Sequence, residues 1–127
     1  MKTEGPNGRF YVKGKLYIPD DLFVVVNSGR IYIESDVVLG YKVNLLCGHH
    51  DYRLKNEKRI SYPDSGYDIT IKKGAWIGSL AIIIGPCIIG ENSVVGAGSV
   101  LVHDDIPPGE LWAGNPARFI KKIDFKE

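Results

Sequence analysis

Read from Ile71 in blocks of six, the chain runs IKKGAW, IGSLAI, IIGPCI, IGENSV and VGAGSV. The first place of each block is aliphatic: Ile71, Ile77, Ile83, Ile89 and Val95. The fifth is small: Ala75, Ala81, Cys87, Ser93 and Ser99. The same register runs upstream through IESDVV from Ile33, LGYKVN from Leu39 and LLCGHH from Leu45, where the fifth place holds Val37, Val43 and, as the one break from apolar residues, His49. From Lys15 to Tyr32 the pattern degrades, as it does in the terminal unit of a stacked repeat.

Six residues make about 1.7 turns of α-helix, so a six-residue period would carry its apolar positions around a helix rather than along one face. The period suits strands, in which side chains alternate every two residues and places one and five point the same way. Three blocks then form one coil, and coils stack ~4.8 Å apart with each strand pairing to the strand above. The sequence predicts coils at 33–50, 71–88 and 89–106, with an irregular one at 15–32. This gives a single all-β domain over 1–127: coils over about 15–106, an extruded loop at 51–70 and a cap at 107–127. The loop is polar, is broken by Pro63 and Gly66, and has the length of a functional insertion. Pro107-Pro108-Gly109 ends the ladder. Asn115-Pro116 reads as N-cap and first position of a short helix, ARFIKKI, whose Phe119, Ile120 and Ile123 would close the open end of the prism.

Composition narrows the function. The formal charge of +1, from 16 Lys and Arg against 15 Asp and Glu, disfavours nucleic acid or an anionic membrane as partner. Cys47 and Cys87 have no zinc-like spacing and read as reduced core thiols. Residues 1–10 carry no apolar secretion segment, and the longest apolar run, Leu80 to Ile89, is broken by Gly85 and Pro86. The expectation is a soluble cytoplasmic protein.

The segment GAWIGSLAIIIGPCIIGENSVVGAGSVLVHDDIPPGELWAGNPARFIKKI, together with CGHHDY, resembles the hexapeptide-repeat acyltransferases, block for block with galactoside, maltose and polysaccharide O-acetyltransferases. The resemblance covers roughly residues 33–123. It implies a left-handed parallel β-helix with an extruded loop and a C-terminal helix, a hand that the period alone does not give. It also implies acetyl-CoA as cosubstrate, no required metal, and a homotrimer with active sites at subunit interfaces. The acceptor would be a saccharide hydroxyl, as in the shorter enzymes of surface-polysaccharide biosynthesis.

Acetyl transfer to a hydroxyl needs a base with a pKa near 7. The three histidines are His49, His50 and His103. By coil parity His49 has the inward phase and His50 the outward one. The family's catalytic histidine sits in motifs similar to Gly48-His49-His50-Asp51-Tyr52, which makes His50 the candidate base, with Asp51 either orienting it or taking a turn. The resemblance carries coenzyme A contacts onto Ser79, Ala97, Arg118 and Lys121, and an amide near Ser79 could meet the thioester oxyanion. Arg and Lys suit phosphate. Val102-His103 stands where the family has a Thr-Lys pair, and His103 is expected to be merely exposed. Three other readings are an N-acetyltransferase on an amino sugar or sugar nucleotide, a non-catalytic β-helix scaffold, and a zinc carbonic anhydrase of the same fold, which needs well-separated histidine ligands.

Overall fold

The computed structural model describes residues 1–126. Its strands follow one another around a three-sided prism. The first coil holds β1 (Lys2–Glu4), β2 (Phe10–Val12) and a bridge at Tyr17. The second holds β3 (Phe23–Val25), β4 (Ile31–Ile33) and β5 (Val38–Leu39). In the third, β6 (Asn44–Leu46) is followed by the loop with α1 (Glu57–Ile60), then β7 (Ile69–Ile71) and β8 (Trp76–Ile77). Then come β9 (Ile82–Ile84), β10 (Cys87–Ile89) and β11 (Val94–Val95), and last β12 (Val100–Val102), a bridge at Ile106, and β13 (Glu110–Gly114) with β14 (Ala117–Lys122). Every strand pairs in parallel with its counterpart one coil away, except that β14 runs antiparallel to β13. The first sheet is β1-β3-β6-β9-β12, the second β2-β4-β7-β10 and the third β5-β8-β11-β13-β14.

The repeat positions point as the period predicts. Ile71, Ile77, Ile83, Ile89 and Val95 are 0 % exposed, and the small fifth-place residues lie beside them with at most 3 % exposure. Small side chains at every fifth place leave room for the aliphatic ones within a prism only three strands wide. Between sheets, the glycines set the spacing of the coils: a Cβ on Gly78 would lie 2.5 Å from the Ala97 nitrogen, and one on Gly40 would collide with the Ser79 amide.

Two expectations are corrected. The ladder starts at Lys2, not near residue 15, and the strands of the first two coils pair in unbroken parallel register although their spacing is irregular. Ile82 pairs with Val100, eighteen residues on, whereas Lys2 pairs with Phe23 and Phe23 with Asn44, twenty-one residues on. The extra residues sit at the corner from the first sheet to the second, where Asn27-Ser28-Gly29 breaks the six-residue phase while Leu22, Val24, Val26 and Ser28 stay buried. The second correction is the tail, where ARFIKKI is strand β14 and not a helix. Gly114 takes a left-handed φ of 108°, and the turn at Asn115-Pro116 sends the chain back along β13. The free edge of the third sheet offers this segment a backbone ladder from Ala117 to Lys122, interrupted only by a bulge at Ile120, which a helix of seven residues with two adjacent lysines would not gain. Ala117 is buried, but Phe119 and Ile120 are 49 % and 54 % exposed and do not plug the prism.

Overpacking a coil-to-coil contact costs ~1–3 kcal/mol. In urea unfolding Gly78→Ala should therefore lower the unfolding free energy by an amount in that range, whereas Lys73→Ala on the outer surface should stay within ~0.5 kcal/mol of the parent.

Candidate active site

The loop leaves and rejoins the prism at one corner, between the first and second sheets. Cys47 N–H donates to the Val25 carbonyl at 2.7 Å, and Ser28 N–H to the Cys47 carbonyl at 2.7 Å. Gly48 lies flat on Val25, whose side chain fills the space a Cβ would need. His49 is thus delivered onto Ser28, to whose Oγ its amide donates at 3.4 Å. On the returning limb Tyr67 N–H donates to the Ser28 carbonyl at 3.2 Å, and its ring stacks on His49 with centroids 4.3 Å apart and planes 18° apart.

The structure adds a third ring. His103 follows β12 with a left-handed φ of 56°, its amide donating to the Ile84 carbonyl at 3.1 Å. Its imidazole stands edge-on to His49 at 5.7 Å and 6.3 Å from Tyr67. His103 is therefore exposed, as expected, but not isolated: with His49, Tyr67, Pro63, Gly66 and Pro86 it lines an open cleft of ≈ 490 Å³. The register brings the two rings together, since Leu46, Ile84 and Val102 form one ladder and both histidines follow members of it.

His49 is half-buried and His50 exposed, in the order parity predicts. Burial pushes the His49 imidazole below its ordinary value; His103 adds to the fall and Asp51 opposes it. His50 lies over Tyr62 at 4.2 Å, with Nδ1 3.3 Å from the Ser61 carbonyl. That contact makes Nδ1 the protonated nitrogen and leaves Nε2 as the acceptor. Asp51 does not orient His50. It accepts from Arg53 Nε and Nη2 at 2.9 and 2.8 Å and from the Arg53 amide at 3.0 Å, and these bonds hold its carboxyl down at about 2.

The remaining predicted residues lie elsewhere. Ser79 and Ala97 occupy equivalent places one coil apart, at the corner from the third sheet to the first. Ser79 Oγ accepts from the Tyr41 amide at 2.9 Å, and its carbonyl accepts from Gly98 N–H at 2.8 Å. Among the described residues the amides of Ser79 and Ala97 donate to no backbone acceptor. The strands of the first sheet separate this corner from the histidines, a span of ~10–15 Å within one chain. Arg118 and Lys121 are exposed on β14, where Arg118 Nη1 lies 3.5 Å from Asp104 Oδ2. Between the two corners the first sheet turns outward two largely apolar ladders, Phe23-Asn44-Ile82-Val100, broken by the Asn44 amide, and Val25-Leu46-Ile84-Val102. Among the described residues no three His, Cys, Asp or Glu side chains are grouped to hold a metal ion, and no helix is long and apolar enough to cross a membrane.

Residues 68–103 match the family described as bacterial transferase hexapeptide (six repeats). The chain is 38 % identical over 118 residues to a galactoside O-acetyltransferase of Escherichia coli K12, covering 93 % of this chain and 53 % of that one. It spans about half the length of the curated relatives it matches. Among solved structures it is similar to a galactoside acetyltransferase in complex with coenzyme A, with TM-score 0.72 and 28 % identity over 91 % of this chain and 66 % of that one. It is also similar to a hexapeptide-repeat acetyltransferase of Vibrio cholerae in complex with acetyl coenzyme A, with TM-score 0.70 and 25 % identity over 97 % and 72 % of the two chains.

Beneath the cleft, Cys47 and Cys87 are buried, which pushes both thiols up to about 12. Only the thiolate attacks disulfide reagents. Neither cysteine should react with an aromatic disulfide at pH 8 in the folded protein, and both should react once it is unfolded in guanidinium.

Proposed function

We propose that this chain, which belongs to the hexapeptide-repeat transferase family, moves an acetyl group from acetyl-CoA to a hydroxyl of a saccharide acceptor. The observation that carries the reading is a half-buried imidazole, His49, stacked on Tyr67 in an open cleft. It is joined by the likeness to a galactoside O-acetyltransferase and to acetyltransferases solved with coenzyme A or acetyl coenzyme A. The thioester supplies an activated carbonyl. His49 takes the hydroxyl proton as the acceptor oxygen bonds to that carbon. The C–S bond breaks, and the imidazolium returns the proton to the departing sulfur.

The base is His49 here, although the motif and parity favour His50. His49 lines the cleft, and its lowered pKa keeps it able to accept a proton. His50 is the second reading, favoured by the Ser61 carbonyl that would fix its tautomer. His49→Ala should lower kcat by ~10²–10⁴ with the fold intact, and His50→Ala by less than tenfold. The reverse result in acetyl-transfer assays, read as free thiol release, would move the role to His50.

Coenzyme A suits Ser79 and Ala97 for its amide arm, through their undonated N–H groups, and Arg118 and Lys121 for its phosphates. Because the first sheet stands between these residues and His49, one chain does not complete the site. A second copy, packed against the apolar ladders of that sheet, would bring its Ser79 corner to this chain's cleft. Three copies around an axis complete three such sites, and the expected assembly is a homotrimer. Its location would be the cytoplasm, where acetyl-CoA is supplied. Light scattering in dilute buffer should give about three times the 14.1 kDa chain mass, and replacing Ile84 and Val102 with Glu should yield inactive monomers.

A further inference from the structure

We propose that His103 is a positioning residue for His49: a second imidazole in the same cleft that keeps His49 free to accept a proton as the medium becomes more acidic. The inference rests on His49 being the base of the acetyl transfer. Its first support is geometric. The two rings come from corners of different coils, yet converge edge to face at 5.7 Å, with Tyr67 stacked under His49. His103 reaches this position from a left-handed backbone conformation that glycine or asparagine would take at less strain. Its side chain is exposed, so packing does not repay the strain.

The charged surroundings make the pairing effective. The titratable groups that face His49 are His103 from the turn after β12, Tyr67 from the loop's returning limb, and His50 and Asp51 from its own segment. Among the described residues Asp51 is the group that would draw a proton onto His49, and it is committed to Arg53 by two side-chain hydrogen bonds. Asp104 and Asp105, next to His103, are also engaged: Asp104 lies 3.5 Å from Arg118, and Asp105 accepts from the Ile88 amide at 2.7 Å. A cation on His103 therefore meets little compensating charge on the side facing His49. At this separation two unit charges oppose each other by roughly half a unit to two units of pH. Exposure and salt pull the effect toward the lower end. The lowered His49 pKa has the matching sign, with burial the first cause and His103 the second.

The sign is then fixed. A cation on His103 raises the cost of protonating His49, so His49 stays neutral to a lower pH, and the acid limb of the rate profile lies lower than for a lone imidazole. The test compares the parent with His103→Gln and His103→Arg in two measurements. One is the titration of the His49 ring by NMR without substrate. The other is kcat/KM against pH with acetyl-CoA and a saccharide acceptor. His103→Gln should raise both the His49 midpoint and the acid limb by ~0.5–1 pH unit, and raised salt should shrink the difference between parent and variant. His103→Arg, which places a permanent charge there, should not raise them. A packing role would move both variants in the same direction, and that result, or an unchanged His49 titration in His103→Gln, would overturn the proposal. If the His49 titration shifts as expected but the parent protein acetylates no saccharide, the pairing of the rings stands and the acetyltransferase reading fails.

Discussion

Each coil of this protein borrows its backbone partners from the coil before it, and nearly everything else follows from that dependence. A strand of two or three residues cannot hold itself extended in water. Here each inner strand is held on both sides by its counterparts in parallel register, as when Ile83 lies between Leu45 and Leu101. Stacking in register requires every coil to follow nearly the same path in cross-section. That forces a large aliphatic residue and a small one to alternate around the interior, and removes the side chain where neighbouring turns touch, as at Gly40 and Gly78.

The requirement does not fall equally on the three corners. From the second sheet to the third, four residues intervene at every coil, as between Ile33 and Val38 or Ile89 and Val94. The next corner is as constant, from Leu39 to Asn44 and from Val95 to Val100. Only the corner from the first sheet to the second changes: five residues after β1 and β3, two after β9, and the whole loop after β6. The site lies at this corner because only there can the path lengthen without breaking the stack. The wider early corners also brace the loop. Arg9 Nη1 donates to the Asn27 carbonyl at 3.3 Å and to the Asp64 carbonyl at 3.0 Å, joining two coils to the limb that carries Tyr67.

The interior was legible in the sequence because it depends on local phase: Ile71 to Ser99 keep one rhythm, and the solvent exposure of those residues follows it. The early coils were obscured by three residues, since a phase shift at Asn27-Ser28-Gly29 looks like decay of the pattern although the strands on either side are intact. The tail misled for a different reason. Ala117 to Ile123 can be read as helix or strand from its own residues, and the choice is made by the open edge of β13, which is a property of the finished stack. The meeting of His49 and His103 was hidden because it links residues far apart in the chain through a register that the loop interrupts. His49 and His50 were separated by parity as read, but parity alone does not say which of them faces a cleft, and that depends on where Tyr67 returns.

The final turn of the chain has a consequence for solubility. A stack of parallel coils has no intrinsic last member, since the top coil presents the same unpaired backbone that each coil below offers its neighbour. Here that surface is withdrawn on two sides. On the third sheet β14 doubles back in the opposite direction, so a further parallel coil meets the wrong polarity. On the second sheet the bridge at Ile106 is followed by Pro107 and Pro108, which have no N–H to extend the ladder. The C-terminal hairpin and the proline pair thus act as terminators against end-to-end growth into fibres, limiting a geometry that favours polymerisation to particles of defined length.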